Sequence, residues 1–287
     1  MPITPYIQLM RPLQWVKSVF VIAPIFFALK WQDAGAWMQI MWAVLAFAVA
    51  ASAVYIVNDS MDIEGDKKHP KKSKRPLAAG TAKPHIAALQ ALGLVVLSLC
   101  ICRYYLPPEA VYVVGAYLVL NVFYSQFFKR FAVIDVVILA CFYILRVLMG
   151  CVAIDVPATS WIILTTFFLS LTIGFAKRNA DLRVAQFASD KPNLQGYNQA
   201  LMICLLGICT AASLITYAIY AVEKQQLIGS ETLVYSVILV AAGFFRFLSL
   251  ALVSGDGSEP ERILLKDRPL LLISVAWFLV TLWSINV

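Results

Sequence analysis

Nine stretches of this chain run for roughly twenty residues with almost no charge, and that repetition constrains the fold more than anything else in it. They are Trp15–Leu29, Ala36–Val57, Pro84–Cys102, Glu109–Phe128, Ala132–Ala153, Ala158–Ala176, Asn198–Val222, Thr232–Val253 and Pro269–Asn286. A hydrocarbon core about 30 Å thick is crossed by roughly 20 apolar residues of helix. Lipid offers no partner to backbone polar groups, so such segments fold as helices. The expectation is an all-α polytopic membrane helix bundle of about nine transmembrane helices, forming one integral-membrane domain over residues 1–287. Composition agrees, with 61% AVILMFWYC and only 14% charged residues, which excludes an ordinary soluble enzyme and a disordered chain. The first stretch is short and holds Pro24. Phe27-Ala28-Leu29-Lys30-Trp31 makes a poor cleavage site, so it reads as a retained helix rather than a signal peptide.

Charge gives an independent test. With the N-terminus cytoplasmic, 18 of the 23 Lys and Arg fall on inside segments and 3 outside, with Arg146 and Arg246 inside spans. That split is the positive-inside pattern, and it places the C-terminus outside. The formal net charge of +7 therefore belongs to the membrane, and no nucleic-acid partner is expected.

The inside loops carry the polar chemistry. After the second span comes Asn58-Asp59-Ser60-Met61-Asp62-Ile63-Glu64-Gly65-Asp66. Asp59, Asp62 and Asp66 recur at i, i+3, i+7, which places them on one stripe if the helix continues. Three carboxylates on one stripe repel unless a cation lies between them. Hard oxygen ligands suit Mg²⁺, which binds a few carboxylates together with substrate phosphates. The stripe reads as a metal–diphosphate site at the membrane surface, against the alternative of a solvated acidic turn.

Cations surround it. Lys67, Lys68, Lys71 and Lys72 read as topology signal and lipid contact. Lys74 and Arg75 differ, because Pro76 fixes the chain just after them and a turn there presents both to the carboxylates. After the fourth span, Tyr124 and Lys129 suit either a phosphate or ribose hydroxyl, or an interfacial belt. Arg146, within the fifth span, faces either a polar cavity or a buried acid such as Asp135. After the sixth span, Lys177 pairs with Asp181 at i, i+4, or Lys177 and Arg178 clamp phosphate while Asp181 takes a hydroxyl or second metal. Gly255 to Arg262 reads as a loop, and Lys266-Asp267-Arg268 as a charged entry to the last helix. Motif-bearing loops recur four helices apart, which implies two four-helix pseudo-repeats in parallel and polar loops converging over one cavity.

Several chemistries are missing. The six cysteines form no C-x-x-C, and His69 and His85 are the only histidines, so neither a zinc framework nor histidine catalysis is expected. No phosphate-binding glycine loop or nucleophile elbow occurs.

The run Asn58-Asp59-x-x-Asp62-x-x-x-Asp66 after a second membrane helix resembles the signature of the UbiA superfamily of membrane prenyltransferases, over the whole chain. The resemblance implies that Asn58, Asp59, Asp62 and Asp66 bind Mg²⁺ and a diphosphate in an inside-facing cavity open to lipid. Many members carry a second paired-aspartate motif, where this chain has Lys177-Arg178-Asn179-Ala180-Asp181. Arg75-Pro76-Leu77-Ala78-Ala79-Gly80, Tyr124 to Lys129 with Asp135, Lys177-Arg178, Glu259-Pro260-Glu261 and Asp267-Arg268 resemble the branch of decaprenyl-phosphate phosphoribosyltransferases. That resemblance implies phosphoribosyl pyrophosphate as donor, a polyprenyl phosphate as acceptor and a bacterial plasma membrane as location. Asp59, Asp62 and Asp66 would carry the metal. Asn58, Lys74, Arg75, Tyr124, Lys129, Arg146, Lys177, Arg178, Asp181 and Arg268 would contact substrate. The acceptor is already an anion, so no general base is required. Membrane lipids are partners, and a homo-oligomer is compatible with the pattern. The rival readings are prenyl transfer to an aromatic or glycerol-phosphate acceptor, and a divalent-cation transporter using the aspartates as a selectivity ring.

Overall fold

The computed structural model describes residues 4–68, 72–188, 195–228, 232–254, 263 and 266–286. Among these every regular element is helical. The elements are α1 (Thr4–Leu9), a 3-10 turn (Pro12–Ser18), α2 (Val19–Phe27), α3 (Ala34–Met61), α4 (Ile63–Lys67), a 3-10 turn (Lys72–Lys74), α5 (Pro84–Tyr105) and α6 (Glu109–Gln126). There follow a 3-10 turn (Phe128–Arg130), α7 (Ile134–Ala153), α8 (Ser160–Ala188), α9 (Gln199–Ile228), α10 (Thr232–Ser249), a π-helical turn (Leu250–Ser254) and α11 (Arg268–Asn286).

Among the described residues seven segments are long and apolar enough to cross a membrane: Thr4–Phe27, Ala34–Met61, Pro84–Tyr105, Ile134–Ala153, Ser160–Arg183, Gln199–Gln226 and Thr232–Val253. The two other expected spans coincide with α6 and α11. α6 is held back by Glu109, Asn121 and Gln126 within its 18 residues, and the apolar part of α11 is short. The expected first helix is not regular. Arg11 is left-handed at φ 50° and Pro12 opens a 3-10 turn, so α2 begins only at Val19.

The chain forms two compact units, Met1–Ser125 with Leu145–Ala158, and Gln126–Ile144 with Thr159–Val287. In the first, α3 packs along α5. Asp33 caps α3 by accepting from Gly35 N (2.7 Å) and Ala36 N (3.2 Å). Its buried face is small, with Ala43, Ala46, Ala50, Ser52 and Ala53, so the α5 backbone comes close enough for Ser98 Oγ to donate to Ala46 O at 2.8 Å. A helix of 28 residues is about 42 Å long, which exceeds a ~30 Å hydrocarbon core. Its C-terminal turns, with Asn58 and Asp59, therefore extend past the apolar layer.

In the second unit α8 packs along α9, and Val136, Phe175, Met202, Leu206, Phe247 and Leu270 form the core. α8 runs to Ala188, well beyond the expected end at Ala176. No Gly or Pro interrupts residues 175–188, and the Arg178–Asp181 pair supports the added turns. Lys177, Arg178 and Asp181 thus lie on a helix rather than in a loop.

Candidate active site

The first unit concentrates its buried charge at the C-terminal end of α3. Asp59 and Asp66 are each 3% exposed, although they bracket a helix break. α3 ends at Met61 and α4 begins at Ile63, so the stripe is not one continuous helix. The register survives, because Asp62 N donates to Asn58 O (3.0 Å) and Asp66 N to Asp62 O (2.8 Å). Asp62 itself is exposed.

One cation joins the two buried carboxylates. Arg75 Nη1 donates to Asp59 Oδ1 at 3.0 Å and to Asp66 Oδ2 at 2.6 Å. Its aim follows from its neighbours. Pro76 and Leu77 are buried, with Leu77 in a cluster with Leu9 and Ile56, and the returning chain bonds Ala79 N to Arg75 O at 2.8 Å. Gly80 makes the turn at φ 72°, a conformation that suits glycine. Lys74 is exposed, and Lys72 instead approaches Asp66 Oδ1 at 3.9 Å.

A second arginine arrives from the N-terminal segment. Arg11 donates to Asp59 Oδ1 and lies 5.1 Å from the centroid of Tyr55. It is held there because Ser52 Oγ donates to Met10 O (2.9 Å) and accepts from Trp15 Nε1 (3.0 Å). α1 is docked by Gln90 Nε2 donating to Tyr6 O at 3.0 Å. Sequence reading missed Arg11; the available signal was its Arg–Pro pair, the same device that aims Arg75. Asn58 is fixed by Ser125 Oγ, which donates to its Oδ1 at 2.7 Å, and Tyr124 lies half-buried beside that serine.

Arg146 is not part of this cluster. It is buried, with its guanidinium 5.0 Å from the Phe47 ring and 5.5 Å from that of Tyr117. Phe47 precedes Asp59 by twelve residues of α3, about 18 Å along the axis. The structure thus surrounds Arg146 with aromatic rings in the helix interior, at a distance from the two carboxylates. A cavity of about 520 Å³ at the opposite end of α3, lined by Lys30, Asp33, Gln39 and Asp155, is likewise remote from them.

The second unit has its own charge cluster. Asp135 is fully buried. Its Oδ2 accepts from Arg178 Nε at 2.7 Å and its Oδ1 from Tyr197 Oη at 3.1 Å, while Arg178 Nη1 donates to Asp181 Oδ2 at 3.0 Å. Arg178 pairs with both acids, so Asp181 has a cationic partner besides the Lys177 expected at i, i+4. Burial pushes the Tyr197 phenol well above its ordinary value, which keeps it a proton donor. Tyr197 also accepts from Val133 N at 2.6 Å, and Val133 sits at φ 67°, a strained conformation for a β-branched residue. Asn179 Nδ2 reaches Ala251 O at 3.1 Å, and Arg183 donates to Leu252 O in the π-helical turn. Arg246 forks onto Asp267 at 3.1 and 2.7 Å, while Arg268 is exposed and Lys129 half-buried. Glu259, Pro260 and Glu261 lie outside the described residues.

The first cluster fits a magnesium ion by its donor chemistry. Among the described residues no three acids are grouped for a metal. Mg²⁺ needs fewer, since one or two carboxylates suffice when substrate phosphates and water complete its shell. Asp59 and Asp66 already converge on a single positive nitrogen, the arrangement a cation between them demands.

Residues 18–266 match the profile of the UbiA prenyltransferase family. The chain is 32% identical to decaprenyl-phosphate phosphoribosyltransferase of Mycobacterium tuberculosis, over 94% of this chain and 91% of that protein. It is 29% identical to the enzyme of the same name from Corynebacterium glutamicum, over 94% and 83%. Its fold is similar to a UbiA homolog from Archaeoglobus fulgidus bound to DMAPP and Mg²⁺, with a TM-score of 0.73, 20% identity and coverage of 98% and 99%.

Proposed function

The chain belongs to the UbiA prenyltransferase family, and we propose that it transfers 5-phosphoribosyl from phosphoribosyl pyrophosphate to a polyprenyl phosphate, releasing pyrophosphate. The observation that carries the reading is the buried Asp59–Asp66 pair closed on one arginine nitrogen at the end of a membrane-crossing helix. The names of its full-length relatives point the same way.

Asp59, Asp62 and Asp66 would hold Mg²⁺, which when bound supplies positive charge for the departing pyrophosphate. Arg75 and Arg11 add fixed positive charge beside the same carboxylates, and Lys72 and Lys74 extend it. Asn58, oriented by Ser125, offers an amide donor for a phosphate or ribose oxygen. Tyr124 and Lys129 are assigned to the donor as well. Lys177 and Arg178 are assigned to phosphate, and Arg268 to the entry of α11. The acceptor phosphate is an anion at neutral pH and attacks ribose C1 without a general base, which accounts for a site rich in arginine and poor in histidine. The apolar tail of the acceptor runs along the helices in lipid. By the distribution of Lys and Arg, the acidic end of α3 faces the cytoplasm of a bacterial cell, where the soluble donor is found.

Membranes containing the protein should move label from radiolabelled phosphoribosyl pyrophosphate into organic-extractable lipid, and excess chelator should stop the transfer. Prenylation of an aromatic acid without that label transfer would replace this reading with the prenyltransferase one.

A further inference from the structure

Among the described residues each unit has an arginine that bridges two carboxylates, and the two bridges are built differently. Arg75 stands on a turn, its side chain is 27% exposed, and the described contacts of Asp59 all fall on Oδ1. Arg178 stands on α8 three residues from Asp181, its side chain is 12% exposed, and Asp135 beneath it is fully buried. Both oxygens of Asp135 are engaged, Oδ2 by Arg178 and Oδ1 by Tyr197.

We infer that Arg178 permanently fills the acid pair of the second unit, so that among the described residues Asp59 and Asp66 form the one divalent-metal site. The inference rests on the metal reading of the first unit and goes beyond it by fixing the metal count. Its physical basis is the difference in what a metal must displace. In the first unit a metal displaces guanidinium groups that turn outward toward solvent and toward an anionic substrate. In the second it would have to expel a guanidinium that is itself largely buried over Asp135, break the Arg178 bonds to Asp135 and Asp181, and disturb the tyrosine that holds Asp135 and supports strained Val133. Asp181 and Asp135 then serve as positioning residues that hold a fixed cation, the role a second metal would otherwise fill.

The test counts Mn²⁺, a spectroscopic substitute for Mg²⁺, on the full chain in detergent with pyrophosphate present to complete the metal's shell. One bound ion per chain is expected. Asp59→Asn should weaken that binding by tenfold or more, whereas Asp181→Asn should leave it within twofold. Arg178→Met should expose a second Mn²⁺ site, and should it fail to fold, Asp181→Asn still decides. Two ions on the unaltered chain, or a tenfold weaker ion in Asp181→Asn, would overturn the inference. Absence of any bound Mn²⁺ would overturn the metal reading of the first unit, and this inference with it.

Discussion

Arg11 reaches the carboxylate of Asp59 across 48 residues of sequence, and it does so from a left-handed backbone that only a strong local constraint sustains. The Met10–Ser52–Trp15 contacts supply that constraint, so the segment leading into α2 is part of the acidic cluster. A charge-assisted hydrogen bond is worth about 1.5–3 kcal/mol. Arg11→Ala should therefore raise KM for phosphoribosyl pyrophosphate roughly 10-fold to 100-fold. Arg11→Lys should recover only part of the loss, because it keeps the charge without the planar fork. Label-transfer kinetics at varied donor concentration would check both.

Asp59 and Asp62 should separate activity from stability. Asp62 is exposed at the helix break, so Asp62→Asn should lower turnover roughly 100-fold or more with little change in the thermal midpoint. Asp59→Asn should lose turnover and also about 1–3 kcal/mol of stability, since it strips Arg11 and Arg75 of a buried charge partner. Thermal unfolding in detergent beside the transfer assay distinguishes the two.

The spacing of Asp59 and Asp66 was legible in the sequence because the helical period survives one interrupted residue. The Arg75 turn was legible because proline and glycine mark it. Arg11 was not, since it lies 48 positions from its partner and counted only as a topological charge. The extension of α8 was hidden because polar residues after an apolar run read as a loop, although nothing in them breaks a helix. Tyr197 was hidden because a tyrosine between polar residues carries no spacing signal, and its role depends on a backbone bend at Val133.

Arg146 tests the distinction between a substrate contact and a structural one. Over Phe47 and Tyr117 it should contribute about 1–2 kcal/mol of cation–π stabilisation. Arg146→Met should lower the thermal midpoint while leaving KM for the donor within about threefold, which falls below the effect of losing a charged contact. A tenfold rise in KM with an unchanged midpoint would return Arg146 to the substrate.

Asp267 should make the entry to α11 sensitive to acid. Its hydrogen bond from Arg246, with one from Leu270 N, holds the carboxyl below the usual range. A depressed folded value means that the stabilisation is complete above the unfolded value near ~3.9 and is lost as pH falls through the folded one. The difference in thermal midpoint between the unaltered protein and Asp267→Asn should be constant from about pH 5 upward and should close below about pH 4. A gap that persisted in strong acid would show that Asp267 acts by shape rather than charge.

Gly150 lets α7 pass against α2 at a distance no other residue permits. A Cβ there would lie 2.1 Å from the carbonyl oxygen of Val21 and 2.9 Å from Pro24 Cγ. The carbonyl belongs to the backbone, so the clash is relieved only by moving a helix, and Gly150→Ala should cost about 1–3 kcal/mol. Gly93, on α5, has nothing within 4 Å of the same position. Gly93→Ala should instead stabilise by up to ~1 kcal/mol through helix propensity. Opposite shifts of the thermal midpoint in the two variants would trace the cost at Gly150 to the contact with α2, whereas equal shifts would trace it to the loss of a glycine alone.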